Sequence, residues 1–130
     1  MSQGEEKVAH LLLRSKYRFE REKRFTDLKG GRYRFDFYVY SGRPTPCIIE
    51  VNGEQHYQKV GKYQRTRREF EQQRERDRQK ISYCLSHNIP IYCIPYWELD
   101  NIRCAADLFQ EKFRATSRWK NDLDRKKFHS

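Results

Sequence analysis

The twenty residues YRFDFYVYSGRPTPCIIEVN, from Tyr33 to Asn52, decide the fold. Tyr33 to Tyr40 alternates as a half-buried strand does: Phe35, Phe37 and Val39 point one way, and Arg34, Asp36 and Tyr38 the other. Ser41 to Pro46, with one glycine and two prolines, reads as a loop. Cys47 to Asn52 is a second, more apolar strand, so the segment predicts a β-hairpin whose loop is longer than a tight turn. On that strand Ile49 and Val51 share one side, and Ile48, Glu50 and Asn52 share the other. Antiparallel pairing through the loop brings Asp36 and Glu50 together on one face.

Two adjacent carboxylates repel each other unless a cation sits between them. Oxygen-rich pairs with room for water suit Mg²⁺, with Mn²⁺ as a substitute. Directly after the strand comes Asn52-Gly53-Glu54-Gln55-His56-Tyr57, in which Gly53 permits a sharp turn and returns His56 toward the strand end. A histidine there is a candidate proton-transfer group or ligand. His10, His87 and His129 have no such context.

Outward from this hairpin, Ser2 to Arg14 reads as a helix with Ser2 as its N-cap and Glu5 at capping-box spacing. Glu5 shares the inward face of Val8 and Leu12. Tyr17 to Phe25 predicts an edge strand, and Asp27 to Gly31 a turn. Gly53 to Gly61 is a polar loop, and a long helix runs from about Thr66 to His87. On that helix Phe70, Asp77, Ile81, Cys84 and Leu85 form one stripe, so Asp77 is an acid facing the core and requires a partner. Asn88-Ile89-Pro90 leads into a buried strand, Ile91 to Ile94. Tyr96 and Trp97 are expected to pack in the core. A last helix is predicted from about Asp100 to Arg114. The expected architecture is α/β: a single domain over residues 1–114, a mixed sheet flanked by helices in the order α-β-β-β-α-β-α, and a basic, loosely ordered tail over 115–130.

The chain's 28 Lys and Arg against 18 Asp and Glu give a formal net charge of +10, which points to a polyanionic partner, nucleic acid above all. Aromatic residues make up 15% of the chain, too many for a disordered one. Cys47, Cys84, Cys93 and Cys104 form no metal-ligand spacing and read as reduced thiols of a cytoplasmic or nuclear protein. No apolar run is long enough to span a membrane, and the N-terminus is not a signal peptide. Phosphate contacts are expected from Lys59, Lys62, Arg65, Arg67 and Arg68 around the start of the long helix, and from Arg118 and Lys120 around Trp119 in the tail.

Four motifs in order, Ser2-x-Gly4-Glu5, Phe35-Asp36-Phe37, Ile49-Glu50-Val51-Asn52-Gly53-x-Gln55-His56-Tyr57 and Arg76-Asp77-x-x-Lys80, resemble the PD-(D/E)xK nuclease superfamily. Within it the chain is most similar to the very-short-patch-repair-like branch with its EDxHD homing endonucleases, of the small phage or viral type. The resemblance runs from Ser2 to Trp97. It implies a restriction-endonuclease-like core and a Mg²⁺-dependent endodeoxyribonuclease. Asp36, Glu50 and the carbonyl of Val51 would hold the metal. Glu5 and Asp77 would fill the outer acidic positions, sharing one destination, and His56 the histidine. One departure is Asn52, at the position where the superfamily usually has lysine. Asn supplies neither a base nor a charge, so His56 or Lys80 would have to replace it. The alternatives are a non-catalytic nucleic-acid-binding protein that kept the fold, or a resolvase or RNase. Double-strand cleavage would call for a homodimer or for two independent nicks.

Overall fold

The computed structural model describes residues 2–53 and 66–117. Helix α1 (Gln3–Arg14) is capped by Ser2, whose hydroxyl accepts the Glu5 N–H at 3.1 Å. Three strands follow as an antiparallel meander: β1 (Arg18–Arg24), β2 (Arg34–Ser41) and β3 (Cys47–Asn52). Helix α2 (Arg67–Ser86) then crosses to β4 (Ile91–Pro95), which lies parallel to β3. The chain is thus an α/β domain with a mixed four-stranded sheet in the order β1-β2-β3-β4. Thr66 starts α2 through a reciprocal capping box with Glu69, a Thr-x-x-Glu signal visible in the sequence.

Two apolar layers sandwich the sheet. On one face, Val8, Leu11 and Leu12 of α1 pack on Phe37, Val39, Ile49 and Ile94. On the other, Ile81, Tyr83 and Cys84 of α2 pack on Phe35, Ile48, Ile91 and Cys93. Phe35 therefore departs from the expected alternation and lies on the face opposite Phe37 and Val39. The reason is local. The β2–β3 register runs from Val39–Cys47 to Phe37–Ile49, and beyond it side chains take over the backbone hydrogen bonds.

The helix expected over Asp100–Arg114 is replaced by short 3₁₀ turns at Tyr96–Asn101, Ala105–Phe109 and Glu111–Phe113. Ile102, Ala105 and Leu108 are buried at a spacing of three, which matches three residues per turn. The Asp107 carboxylate accepts the N–H groups of Arg103 and Cys104 and stops the chain from winding further back, which also holds its own pKa below the usual range. Tyr96 and Trp97 are not core residues, being 38% and 54% exposed. Lys7 donates to the Leu99 carbonyl at 2.5 Å and pins that turn with Leu99 inward, against the apolar face of α1. The fold also continues past Arg114: Ala115 is buried and its N–H bonds to the Ile91 carbonyl at 2.8 Å.

Cys47, Cys84, Cys93 and Cys104 are free thiols, and burial pushes Cys47 up to about 11 and Cys84 up to about 12, so neither ionises at neutral pH. Among the described residues no helix is long and apolar enough to cross a membrane.

The β2–β3 loop turns at Gly42, whose φ of +104° lies in the region that side chains avoid, and a Cβ there would drive into the Tyr17 ring. Gly42→Ala should cost roughly 2 kcal/mol and lower Tm by about 6–10 °C in a thermal melt. An unchanged Tm would show that the loop re-forms without this turn.

Candidate functional site

The hairpin delivers Asp36 and Glu50 to each other directly. Glu50 Oε2 accepts the backbone N–H of Asp36 at 2.7 Å, and Asp36 Oδ2 accepts the backbone N–H of Val51 at 2.8 Å. Each carboxylate thus takes a main-chain donor beside the other acid, in place of a further sheet hydrogen bond. Glu50 is buried, and its Oε1 meets the Lys80 ammonium, which arrives from the middle of α2. The Lys80 ammonium also stands 4.9 Å over the Phe35 ring.

The electrostatics follow from that packing. Burial, and then the charge of Glu50, raise the Asp36 carboxyl from an ordinary value near 4 to about 8. The Val51 N–H and Lys80 pull it down, but less strongly. At neutral pH Asp36 therefore keeps its proton. Burial by itself lowers the Lys80 pKa. The carboxylates of Glu50, Asp36 and Asp77 more than reverse this, so Lys80 stays charged with its pKa above the ordinary lysine value.

The two outer acids do not share a destination. Glu5 lines an open cleft of about 450 Å³ together with Asp36, Glu22, Arg34 and Arg76. Asp77 is buried and lines a separate, small cavity on the Glu50 side, with Asn52 and Lys80. Gln73 donates to Asp77 Oδ1 at 3.0 Å. Asn52 is itself buried. Gly4 lets α1 settle at this end of the sheet: a Cβ there would stand 2.7 Å from Leu99 Cδ1 and 3.1 Å from Val51 Cγ1.

His56, Lys59, Lys62, Arg65, Arg118 and Lys120 lie outside the described residues. Arg67 and Arg68 are exposed at the start of α2, with Arg67 paired to Glu71 at 3.2 Å. Arg74, one of the arginines crowding the long helix, is buried and sits over the Phe70 ring. Arg34, Glu22 and Arg76 line the cleft without a site role expected from the sequence. Arg34 was legible, since it sits two residues before Asp36 on the same strand; Glu22 and Arg76 are brought in only by tertiary packing. His87, given no role, ties the end of α2 to the β1–β2 connection through Asp27 Oδ2 at 3.3 Å and stacks on Tyr83.

Carboxylate oxygens are the donors that a hard divalent cation takes. Asp36 and Glu5 face one cleft with Glu50 behind them. Among the described residues no group of three or more His, Cys, Asp or Glu side chains is gathered to hold a metal. Mg²⁺ does not demand one, since it keeps several waters and often binds through one or two carboxylates. Comparison with known protein families, with curated proteins and with solved structures finds no match.

The raised Asp36 pKa gives stability a definite pH dependence. The folded state binds this proton more tightly than the unfolded chain, so the contribution is full below about pH 4 and is lost as pH climbs toward about 8. Asp36→Asn keeps the acceptor for Val51 and cannot ionise. In metal-free buffer its Tm should exceed wild type at pH 8 by several degrees, with the gap closing only below about pH 4. A gap independent of pH would mean that Asp36 does not carry the proton.

Proposed function

We propose that the chain is a Mg²⁺-dependent DNA endonuclease with a PD-(D/E)xK-type, restriction-endonuclease-like core. One observation carries this reading: Asp36 and Glu50 interlock across two strands while Lys80 places its ammonium on Glu50. Position 52 holds Asn where that superfamily usually has lysine. Lys80 restores an acid–acid–lysine charge set from a different element. The +10 net charge supports a polyanionic substrate.

Asp36, helped by Glu50, Glu5 and the Val51 carbonyl, would hold the Mg²⁺, or Mn²⁺ in its place. When bound, the ion supplies Lewis acidity toward the scissile phosphate and lowers the pKa of water. Lys80 keeps Glu50 oriented and neutralised, and its ammonium is no base at neutral pH. Proton transfer then falls to His56, in the segment after β3. Arg67 and Arg68, with Lys59, Lys62, Arg65, Arg118 and Lys120, would contact backbone phosphates. One site cuts one strand, so linear product from a single encounter would need a homodimer.

A plasmid relaxation assay tests this, run with Mg²⁺, Mn²⁺ or EDTA. Wild type should nick or linearise supercoiled DNA only with metal. Asp36→Ala and Glu50→Ala should fall to background, and His56→Ala should slow by about 10²–10⁴-fold. Lys80→Met should lose about 10²–10³-fold. Because Asp36 must release its proton, the Mg²⁺ needed for half-maximal rate should fall as pH rises toward about 8. Full activity in either carboxylate variant would sink the site. Salt-sensitive binding with no cleavage of plasmid, branched DNA or RNA would replace the nuclease by a non-catalytic binding protein.

A further inference from the structure

The open cleft in front of Asp36 holds two guanidinium groups as well as its carboxylates. Arg34 and Asp36, two residues apart on β2, line this same cleft. Arg76 enters from α2. Its Nη2 donates to Gln73 Oε1 at 3.0 Å, and Gln73 in turn donates to the buried Asp77. The cation on the cleft wall is thereby braced from the protein interior.

Arg34 is engaged differently. Its Nη1 donates to Glu22 Oε1 at 2.6 Å, and both side chains are more than half exposed. Glu22 belongs to β1, between the pairs Arg21–Phe37 and Lys23–Phe35, which sets it opposite Asp36. Its φ is +53°, left-handed backbone inside a strand and at a residue with a side chain. Such a conformation is costly and persists only where surrounding structure enforces it. An exposed ion pair contributes little stability, so stability alone does not account for a strained residue presenting a carboxylate to Arg34. A carboxylate offers two oxygens to a guanidinium much as a phosphodiester does.

We propose that Arg34 and Arg76 form a phosphate clamp beside Asp36, and that Glu22 occupies Arg34 as a stand-in that the incoming DNA phosphate displaces. This rests on the nuclease reading for the identity of the phosphate. Glu22 keeps Arg34 extended over the cleft without substrate. It also keeps Arg34 from folding onto Asp36 or Glu5, either of which would block the acids. Binding exchanges one anion for another at Arg34, and the freed Glu22 carboxylate is released to solvent.

The test is binding of a labelled short DNA duplex, followed by fluorescence anisotropy in EDTA so that nothing is cut. Arg34→Ala and Arg76→Ala should each weaken binding by about 10-fold and reduce the slope of log affinity against log salt by about one. Glu22→Gln should tighten binding by about 3–10-fold. Glu20→Gln, with the same charge change on an exposed residue of the same strand that pairs with Lys23, should change it less. In the double variant Glu22→Gln with Arg34→Ala the gain should vanish, because Glu22 acts through Arg34. The clamp is overturned if Glu22→Gln matches Glu20→Gln, if the gain survives without Arg34, or if wild type does not bind the duplex. Mg²⁺-dependent cleavage by the same variants separates the two ideas. A wild type that binds but never cuts ends the nuclease reading, while the double variant still judges the clamp.

Discussion

Everything at this end of the sheet depends on the exchange of hydrogen bonds between Asp36 and Glu50. Each carboxylate accepts a backbone N–H beside the other acid, at 2.7 and 2.8 Å. The bond to the charged Glu50 is worth about 1.5–3 kcal/mol, and both bonds fix orientation as well as distance. Ordinary β-ladder bonds would have continued the sheet and left both side chains to find their own rotamers. Here the strands stop pairing so that the acids become part of the backbone scaffold. The same break releases Phe35 from the alternation of β2.

That scaffold brings like charges together inside the protein, and the molecule resolves this in two ways. Asp36 keeps a proton at neutral pH. Glu50 receives the Lys80 ammonium, in a contact whose side chains are only 13% and 7% exposed. A buried pair adds little net stability, because desolvation offsets the attraction, but deleting one partner strands a charge at a cost of about 3–5 kcal/mol. Lys80 is thereby a structural requirement of Glu50 whatever else it does. Asp77 and Asn52 line the cavity behind the pair and keep its surroundings polar. The arrangement thus keeps two acids in contact by a proton on one and a buried cation on the other.

The strands were legible in the sequence because their signals are local. Alternation located β2 and β3, and the spacing of Asp36 and Glu50 about the loop predicted their meeting. Capping at Ser2 and the stripe on α2 gave the helices. What failed was non-local. Strict alternation cannot register that two side chains interrupt the β2–β3 ladder, so Phe35 was assigned to the wrong face. Apolar spacing over Asp100–Arg114 suited a helix nearly as well as 3₁₀ turns, and the deciding hydrogen bonds come from Asp107. Tyr96 and Trp97 read as core residues because no local rule shows that Lys7, ninety residues away, turns Leu99 inward instead. At the site, Asp77 was correctly marked as an acid facing inward, but its cavity differs from that of Glu5. Glu22 and Arg76 reach the cleft through strand register and helix docking, which a single sequence does not display.

The reversed Phe35 also explains how a chain that is 35% charged and 36% hydrophobic builds a site on so thin a core. Cations here lie over aromatic faces: Arg21 over Phe37 at 5.1 Å, and Arg43 over Phe109 at 4.2 Å. Their stems cover rings that would otherwise meet water, so charged residues extend the apolar layers. Lys80 over Phe35 is the same device carried into the interior. Had Phe35 followed the alternation, its ring would lie on the α1 face and Lys80 would have no support beneath its ammonium. Phe35 leaves the alternation beside the carboxylate exchange, Phe35 supports Lys80, and Lys80 neutralises Glu50, which closes the loop of contacts. Each member of this loop thus holds the geometry that the next one needs, and so three modest interactions can keep two acids together in a chain with little core to spare.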